Sequence, residues 1–236
     1  MAKERLRVSR RMIAALVIMF AGTSLGSCGA PEFTYVKNSD EKTYLRVPSG
    51  WTQVDTREVD DLFSPFKRDT FEHDRHLRRL WSVAYDGSAY PTFLHLTRPD
   101  LPTDEPAIYL TIRKLYPDEK AAISLDAMRN IVFPVTDAAR ETYLARVKDD
   151  GFQDFELLFD RELTMPSGLH GIRTAYNWRV PSDYIPDGLV NTFDITVYLS
   201  PDSNTLYTLL VRCDFDCYQQ HYAEIDAIAN SLTIRS

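Results

Sequence analysis

The apolar residues of this chain change their period several times. Ile172, Thr174, Tyr176, Trp178 and Val180 alternate with Arg173, Ala175, Asn177 and Arg179, the period of two that a strand with one core face requires. Phe193, Ile195, Val197 and Leu199 repeat it opposite Asp194, Thr196, Tyr198 and Ser200. The polar stretch PDSN (201–204) then turns the chain into TLYTLLVRC, which predicts a hairpin. Earlier, 44–47 reads as a strand stopped by Pro48-Ser49-Gly50, with Trp51 returning to the core. A helix over 69–80 and a strand over 80–85 follow, and a Pro- and acid-rich loop, TRPDLPTDEP (97–106), leads into the strand AIYLTIRKLY.

Helical spacing governs the remainder. Ser124 can cap a helix carrying Leu125, Met128 and Val132, and Thr136 or Asp137 can cap another carrying Tyr143, Leu144 and Val147, ended by Gly151. The last element has Tyr218, Tyr222, Ile225, Ala229 and Leu232 at steps of four and three and closes one face of the sheet. This order predicts an α+β domain, an antiparallel sheet flanked by helices. TYLRVPSGWTQVD near the start and IDAIANSLTIR at the close are similar to the opening strand and final helix of the PsbP-like fold, found in the photosystem II extrinsic subunit and in actinobacterial lipoproteins of the LpqN type. The resemblance implies an α/β/α sandwich and a family whose members mostly bind or assemble rather than catalyse.

The N-terminus follows a different logic. Lys3, Arg5, Arg7, Arg10 and Arg11 stand against a single Glu4, and the apolar run 12–21 spans ten residues, whereas a stable transmembrane helix takes about 20. This predicts a signal segment over 1–27. Ser9-Arg10-Arg11 is similar to a twin-arginine export motif, which leaves the export route open. Leu25-Gly26-Ser27-Cys28 resembles the lipobox of bacterial lipoproteins, which implies that Cys28 receives a lipid and becomes the first residue of the mature chain. Plain secretion with Cys28 as a spare thiol is the alternative. Residues 28–34 would form a short lipid-anchored tether and 35–236 a single domain at the extracytoplasmic face of the cell membrane.

Loss of 1–27 removes five positive charges and one negative, leaving 22 Lys+Arg against 33 Asp+Glu, a net −11. That balance excludes nucleic acid as a partner, because its affinity depends on cations neutralising phosphates. In an exported chain, Cys213 and Cys217 predict a disulfide tying a strand end to the next helix. Their spacing is not Cys-x-x-Cys, and no second cysteine pair remains to complete a tetrahedral metal site.

Candidate chemistry is sparse. His73 and His76 in FEHDRHLRR can share a helix face and reach one metal, with His95 or His170 as further ligands, but Arg75, Arg78 and Arg79 crowd the segment and favour a solvated basic face. No Gly-x-Ser-x-Gly elbow occurs, and both Pro-Ser-Gly triplets (48–50 and 166–168) read as hairpin turns. There is no G-x-G-x-x-G or Walker pattern, and no cofactor is expected. The carboxylate pairs Asp60-Asp61, Asp104-Glu105, Asp118-Glu119 and Asp149-Asp150 read as solvated surface. The strand connection PSDYIPDGLVN (181–191) carries Tyr184, Ile185 and Asp187, a recognition rim in the place where loops on a rigid sheet bear binding residues. The leading expectation is a lipid-anchored envelope protein that binds or scaffolds another envelope component. The alternatives are a metal-dependent hydrolase using His73 and His76, or a carrier of a small apolar ligand between sheet and helices.

Overall fold

The computed structural model describes residues 31–146 and 153–235. The signal segment 1–27, Cys28, Val147, Asp149-Asp150 and Gly151 lie outside the described residues. The elements are β1 (Phe33–Asn38), β2 (Thr43–Pro48), β3 (Thr52–Val54), α1 (Arg57–Phe63), α2 (Phe71–Leu77), β4 (Leu80–Asp86), α3 (Leu94–Thr97), β5 (Ala107–Lys114), α4 (Pro117–Ala122), α5 (Leu125–Arg129) and α6 (Asp137–Leu144). Then follow β6 (Gln153–Thr164), β7 (His170–Val180), β8 (Leu189–Leu199), β9 (Thr205–Asp214), α7 (Phe215–Ser231) and β10 (Thr233–Ile234). Phe33–Ser236 is a compact unit that contains every one of these elements and both cores, so it carries what a domain needs to fold alone.

The α+β architecture is as the periodicity predicts. A seven-stranded sheet runs in the order β3-β4-β5-β9-β8-β7-β6, antiparallel throughout, beside a three-stranded sheet β1-β2-β10. One face of the large sheet packs with α7 and the small sheet around Leu45, Leu110, Leu209, Ile225 and Ile228. The other face lies under α1, α3, α5 and their connections around Tyr109, Met128, Tyr176, Trp178, Phe193 and Leu210. Glycine is required at 171, because a Cβ there would lie 2.3 Å from the carbonyl oxygen of Val197 on the neighbouring strand.

Four expectations need correcting. β7 and β8 do not have a single core face: Arg173, Ala175, Asn177, Asp194, Thr196 and Tyr198 are buried as fully as their apolar neighbours, because layers cover both sides of the sheet. The helix expected over 69–80 is only α2, capped by the Thr70 hydroxyl accepting from the His73 amide at 3.2 Å. Ser124 does cap α5, accepting from Ala127 N at 3.1 Å, but this helix stops before Val132, where Asn130 takes the amides of Val135 and Thr136 on its side-chain oxygen. Strand β6 has no counterpart in the sequence reading. It is an edge strand with most side chains exposed, so no apolar alternation marks it.

The remaining turns follow the sequence. Trp51 N donates to Pro48 O at 3.1 Å across the first Pro-Ser-Gly, and Gly168 closes the second at φ +81° between β6 and β7. The terminal helix buries Tyr218, Ile225, Ala229 and, at its cap, Leu232. Cys213 and Cys217 form a disulfide with Cα atoms 5.7 Å apart, joining the end of β9 to the first turn of α7. β1 begins at Phe33, ahead of the boundary expected at 35.

Candidate functional site

Between the large sheet and the helices on its second face lies a cavity of about 260 Å³. Its floor comes from β5 and β9 in register: Tyr109 opposite Leu210, Thr111 opposite Thr208, Arg113 opposite Leu206. The period of two puts all six on one face. Asp60 and Phe63 of α1, His76 of α2, Glu119 of α4, and Ile131 and Val132 after α5 form the walls.

Three polar groups converge there. Asp60 accepts hydrogen bonds from Tyr109 Oη at 2.5 Å, Ser82 Oγ at 2.9 Å and Thr56 Oγ1 at 3.1 Å. Burial raises its pKa, and the three hydroxyl donors only partly offset this. Arg113 Nη1 donates to both oxygens of Glu119 at 2.7 and 2.8 Å, and Glu119 also accepts from Tyr116 N at 2.8 Å. His76 is 5% exposed, packs edge-on to Phe66, and its Nδ1 has no hydrogen-bond partner among the described residues. Burial first, then the charge of Arg113, lower its pKa, so the ring is neutral.

Asp60 and Glu119 are thus held by their own partners, Arg113 spends Nη1 on Glu119, and Nδ1 of His76 is buried without a partner among the described residues. A buried polar atom without a partner is costly, on the order of 1–3 kcal/mol, and a bound group that completes its hydrogen bond recovers that energy. The arrangement suits recognition of one polar group on an otherwise apolar molecule.

The histidines are not the solvated basic face expected of the helix. His73 is buried and spends both ring nitrogens, Nε2 on Asp61 at 2.9 Å and Nδ1 on Ser64 Oγ at 3.1 Å. His95 pairs with Asp86 at 2.8 Å, and His170 is exposed at the start of β7. Among the described residues no three His, Cys, Asp or Glu side chains gather as a metal site would require. His73 and His76 share the inward face of α2 but serve different neighbours. Asp60-Asp61 is likewise not solvated surface: one member lines the cavity and the other holds His73 and Arg68.

Tyr184, Ile185 and Asp187 sit at the opposite end of the sheet from the cavity, where Val180 pairs with Leu189. Tyr184 is exposed, Ser182 Oγ donates to Asp100 O at 2.7 Å, and Gly188, at φ +74°, donates to Ile185 O at 2.9 Å. Below them Arg212, fully buried, donates to Asn191 Oδ1 at 2.8 Å and to the carbonyls of His95 and Leu101. Burial lowers its pKa to about 10, and the nearby Asp214, Asp100 and Asp86 keep it charged. The cation pins the 95–101 segment to the sheet, and Ser182 in turn holds the Tyr184 connection to that segment.

Sequence reasoning missed Tyr109, Thr111, Arg113 and Thr208. Their signal was present: Tyr109-x-Thr111-x-Arg113 places increasingly polar side chains on one face of a strand whose other face is Ile108, Leu110 and Ile112.

No family model matches the chain. No curated protein matches it either. Among solved structures it is similar to cyanobacterial PsbP (CyanoP) from Synechocystis sp. PCC 6803, at 14% identity over 91% of this chain and 99% of that one, with a TM-score of 0.49. It is also similar to the Ran-binding protein Mog1p of Saccharomyces cerevisiae (10% identity, 87% and 96% covered, TM-score 0.43). A third is LpqN of Mycobacterium tuberculosis, described as involved in cell envelope biogenesis (13% identity, 86% and 91% covered, TM-score 0.41).

Proposed function

We propose that this chain is an exported, PsbP-like lipoprotein of the cell envelope, anchored through Cys28, that binds rather than catalyses, and that its binding site is the cavity over β5 and β9. The observation that supports the binding site is the cavity itself, floored by β5 and β9 and lined by His76 together with Asp60, Arg113 and Glu119. The cavity has space on the order of nine water molecules at about 30 Å³ each, so its occupant is small. Of the three sequence-based expectations, carriage of a small apolar ligand fits this geometry best. A ligand there would meet apolar walls from Phe63, Ile131, Val132, Leu206 and Leu210 and polar groups from His76, Thr111, Arg113 and Thr208, so it would carry at least one hydroxyl or carbonyl.

Native mass spectrometry of the protein isolated from envelope membranes tests this. The wild type should carry a stoichiometric small molecule, and Thr208→Phe, which projects a ring into the cavity from β9, should lose it while keeping the same fold by circular dichroism. A wild type and a Thr208→Phe variant with identical masses after allowance for the substitution would refute the site. The rim at Tyr184, Ile185 and Asp187 is proposed as a contact surface for a second envelope component. Tyr184→Ala should abolish a crosslink formed there without altering the ligand in the cavity.

A further inference from the structure

The outer face of the small sheet combines cations with aromatic rings. Val36 pairs with Leu45 and both are buried, so the alternate pairs Phe33–Pro48, Tyr35–Arg46 and Lys37–Tyr44 face outward. Thr233, opposite Tyr44, adds β10 to that face, and Arg235 follows it. Arg46 lies over the Phe33 ring at 5.2 Å, Lys37 over Tyr44 at 5.7 Å and Arg235 over Tyr44 at 5.1 Å. Tyr35 is 68% exposed. Lys42, exposed in the β1–β2 turn, brings the cations to four, and none of them has a carboxylate partner among the described residues. The adjoining carboxylates are Glu32, Asp40 and Glu41, the last held by Lys114 at 2.5 Å. Arg46, Arg235, Tyr35 and Tyr44 also border a groove of about 430 Å³.

We infer that this face lies on an anionic phospholipid surface, with tyrosines at headgroup level and the cations on the phosphates. The inference goes beyond the cavity and takes the identity of the surface from the proposed anchor at Cys28. Four residues lie between Cys28 and Phe33, so the five chain steps keep Phe33 within about 18 Å of Cys28 even if fully extended. Tyrosine is the side chain suited to the membrane–water boundary, and arginine and lysine extend their stems along it while their charges meet phosphate. The mature chain has 33 Asp+Glu against 22 Lys+Arg, so an anionic surface repels it as a whole and only a local cluster of cations can turn a face towards it.

Co-sedimentation of the unlipidated chain 29–236 with vesicles of phosphatidylglycerol and phosphatidylcholine, or of phosphatidylcholine alone, tests the inference. The protein should bind the first and not the second, and binding should vanish at about 0.5 M salt, where screening acts within a few ångströms. Lys37→Glu/Arg46→Glu should lower partitioning by at least about 30-fold, roughly fivefold for each cation removed. The charge-matched control Lys67→Glu/Arg78→Glu, exposed on another part of the domain, should change it by less than about threefold. Equal loss in both variants would show that net charge alone acts and would overturn the face. Equal binding to both vesicles, or no binding of the wild type to phosphatidylglycerol, would overturn it as well. Fatty-acid labelling in cells reports on Cys28 independently, so the anchor can fail while the face stands, and the reverse.

Discussion

Replacing Asp194 probes the polar joint between the large sheet and α7. Asp194 on β8 is 1% exposed and accepts from Arg173 Nε at 2.9 Å, Arg173 Nη2 at 2.7 Å and Tyr218 Oη at 2.9 Å. Arg173, 4% exposed, also donates to Asp226 Oδ1 on α7 at 2.6 Å. Burial opposes the charge of Arg173, but Asp194 and Asp226 outweigh it and raise its pKa. Asp194→Ala leaves a buried guanidinium with only the half-exposed Asp226 and strands the Tyr218 hydroxyl. Breaking one side of such a pair costs about 3–5 kcal/mol. For a domain of this size each kcal/mol shifts Tm by about 2–4 °C, so thermal unfolding by circular dichroism should fall by about 6–20 °C. Tyr218→Phe, which removes one hydrogen bond to a charged acceptor, should cost about 1.5 kcal/mol. The variant Arg173→Met/Asp194→Leu/Tyr218→Phe, which removes charge and partners together, should return to within about 2 kcal/mol of wild type. If Asp194→Ala costs less than about 1 kcal/mol in urea, or the triple variant is as unstable as the single one, the network is not what seats the helix.

Further outcomes are open to direct measurement. Cys213→Ala/Cys217→Ala should lower stability by about 2 kcal/mol, the value for a cross-link closing a loop of about five residues, and reduction of the wild type should add the mass of two hydrogens. Asp60 has a folded pKa raised above its ordinary 3.8, so the stability linked to it is full below that value and is lost as pH rises through the folded pKa. Asp60→Asn should therefore gain on wild type as pH rises from 3.8 through the folded pKa and hold a constant advantage above it; a difference that stays constant from pH 3 upward would show that burial does not perturb this carboxyl. Cys28→Ala should yield an unlipidated precursor that incorporates no labelled fatty acid, and persistent labelling would refute the lipobox reading.

What the sequence disclosed follows from where apolar surface is buried. β7, β8, β9 and α7 all sit at the centre of a layer, and their periods of two or of three and four are visible because packing selects every inward residue. β6 was invisible for the opposite reason: as an edge strand it buries little, so Asp154, Glu156, Asp160 and Glu162 interrupt its apolar positions. Arg173 and Asp194 looked like outward residues because a charge in a strand ordinarily faces water. Only the register of β7 against β8 and the arrival of α7 from about 30 residues further on make them a buried pair. The cavity was illegible on the same account. Asp60, Tyr109 and Thr208 come from α1, β5 and β9, far apart in the chain, and no spacing rule joins them.

The two faces of the large sheet are covered differently, and each has a pocket: one of about 690 Å³ where β6 to β8 meet the end of α7 and β10, and the cavity of about 260 Å³ under the short helices. On the first face a single helix of 17 residues packs on the sheet, stapled at its start by a disulfide and further on by Arg173 to Asp226 and Tyr218 to Asp194. On the second face six helices of four to eight residues, α1 to α6, cover the strands, and each ends before a full ridge of side chains can form. Gaps in such a layer are filled either by large rings, as Phe133 does against Phe193 at 4.7 Å, or by nothing. Where β5 and β9 contribute Thr111 and Thr208 in place of larger residues, the floor is too shallow for the ends of α1 and α2 to meet it. Asp60, saturated by three hydroxyls, and Glu119, saturated by Arg113, then keep the helices from collapsing inward, because moving either would break bonds already made. The space under His76 is therefore held open by polar contacts that are complete without a ligand, which is the condition for a site that exists before its occupant arrives.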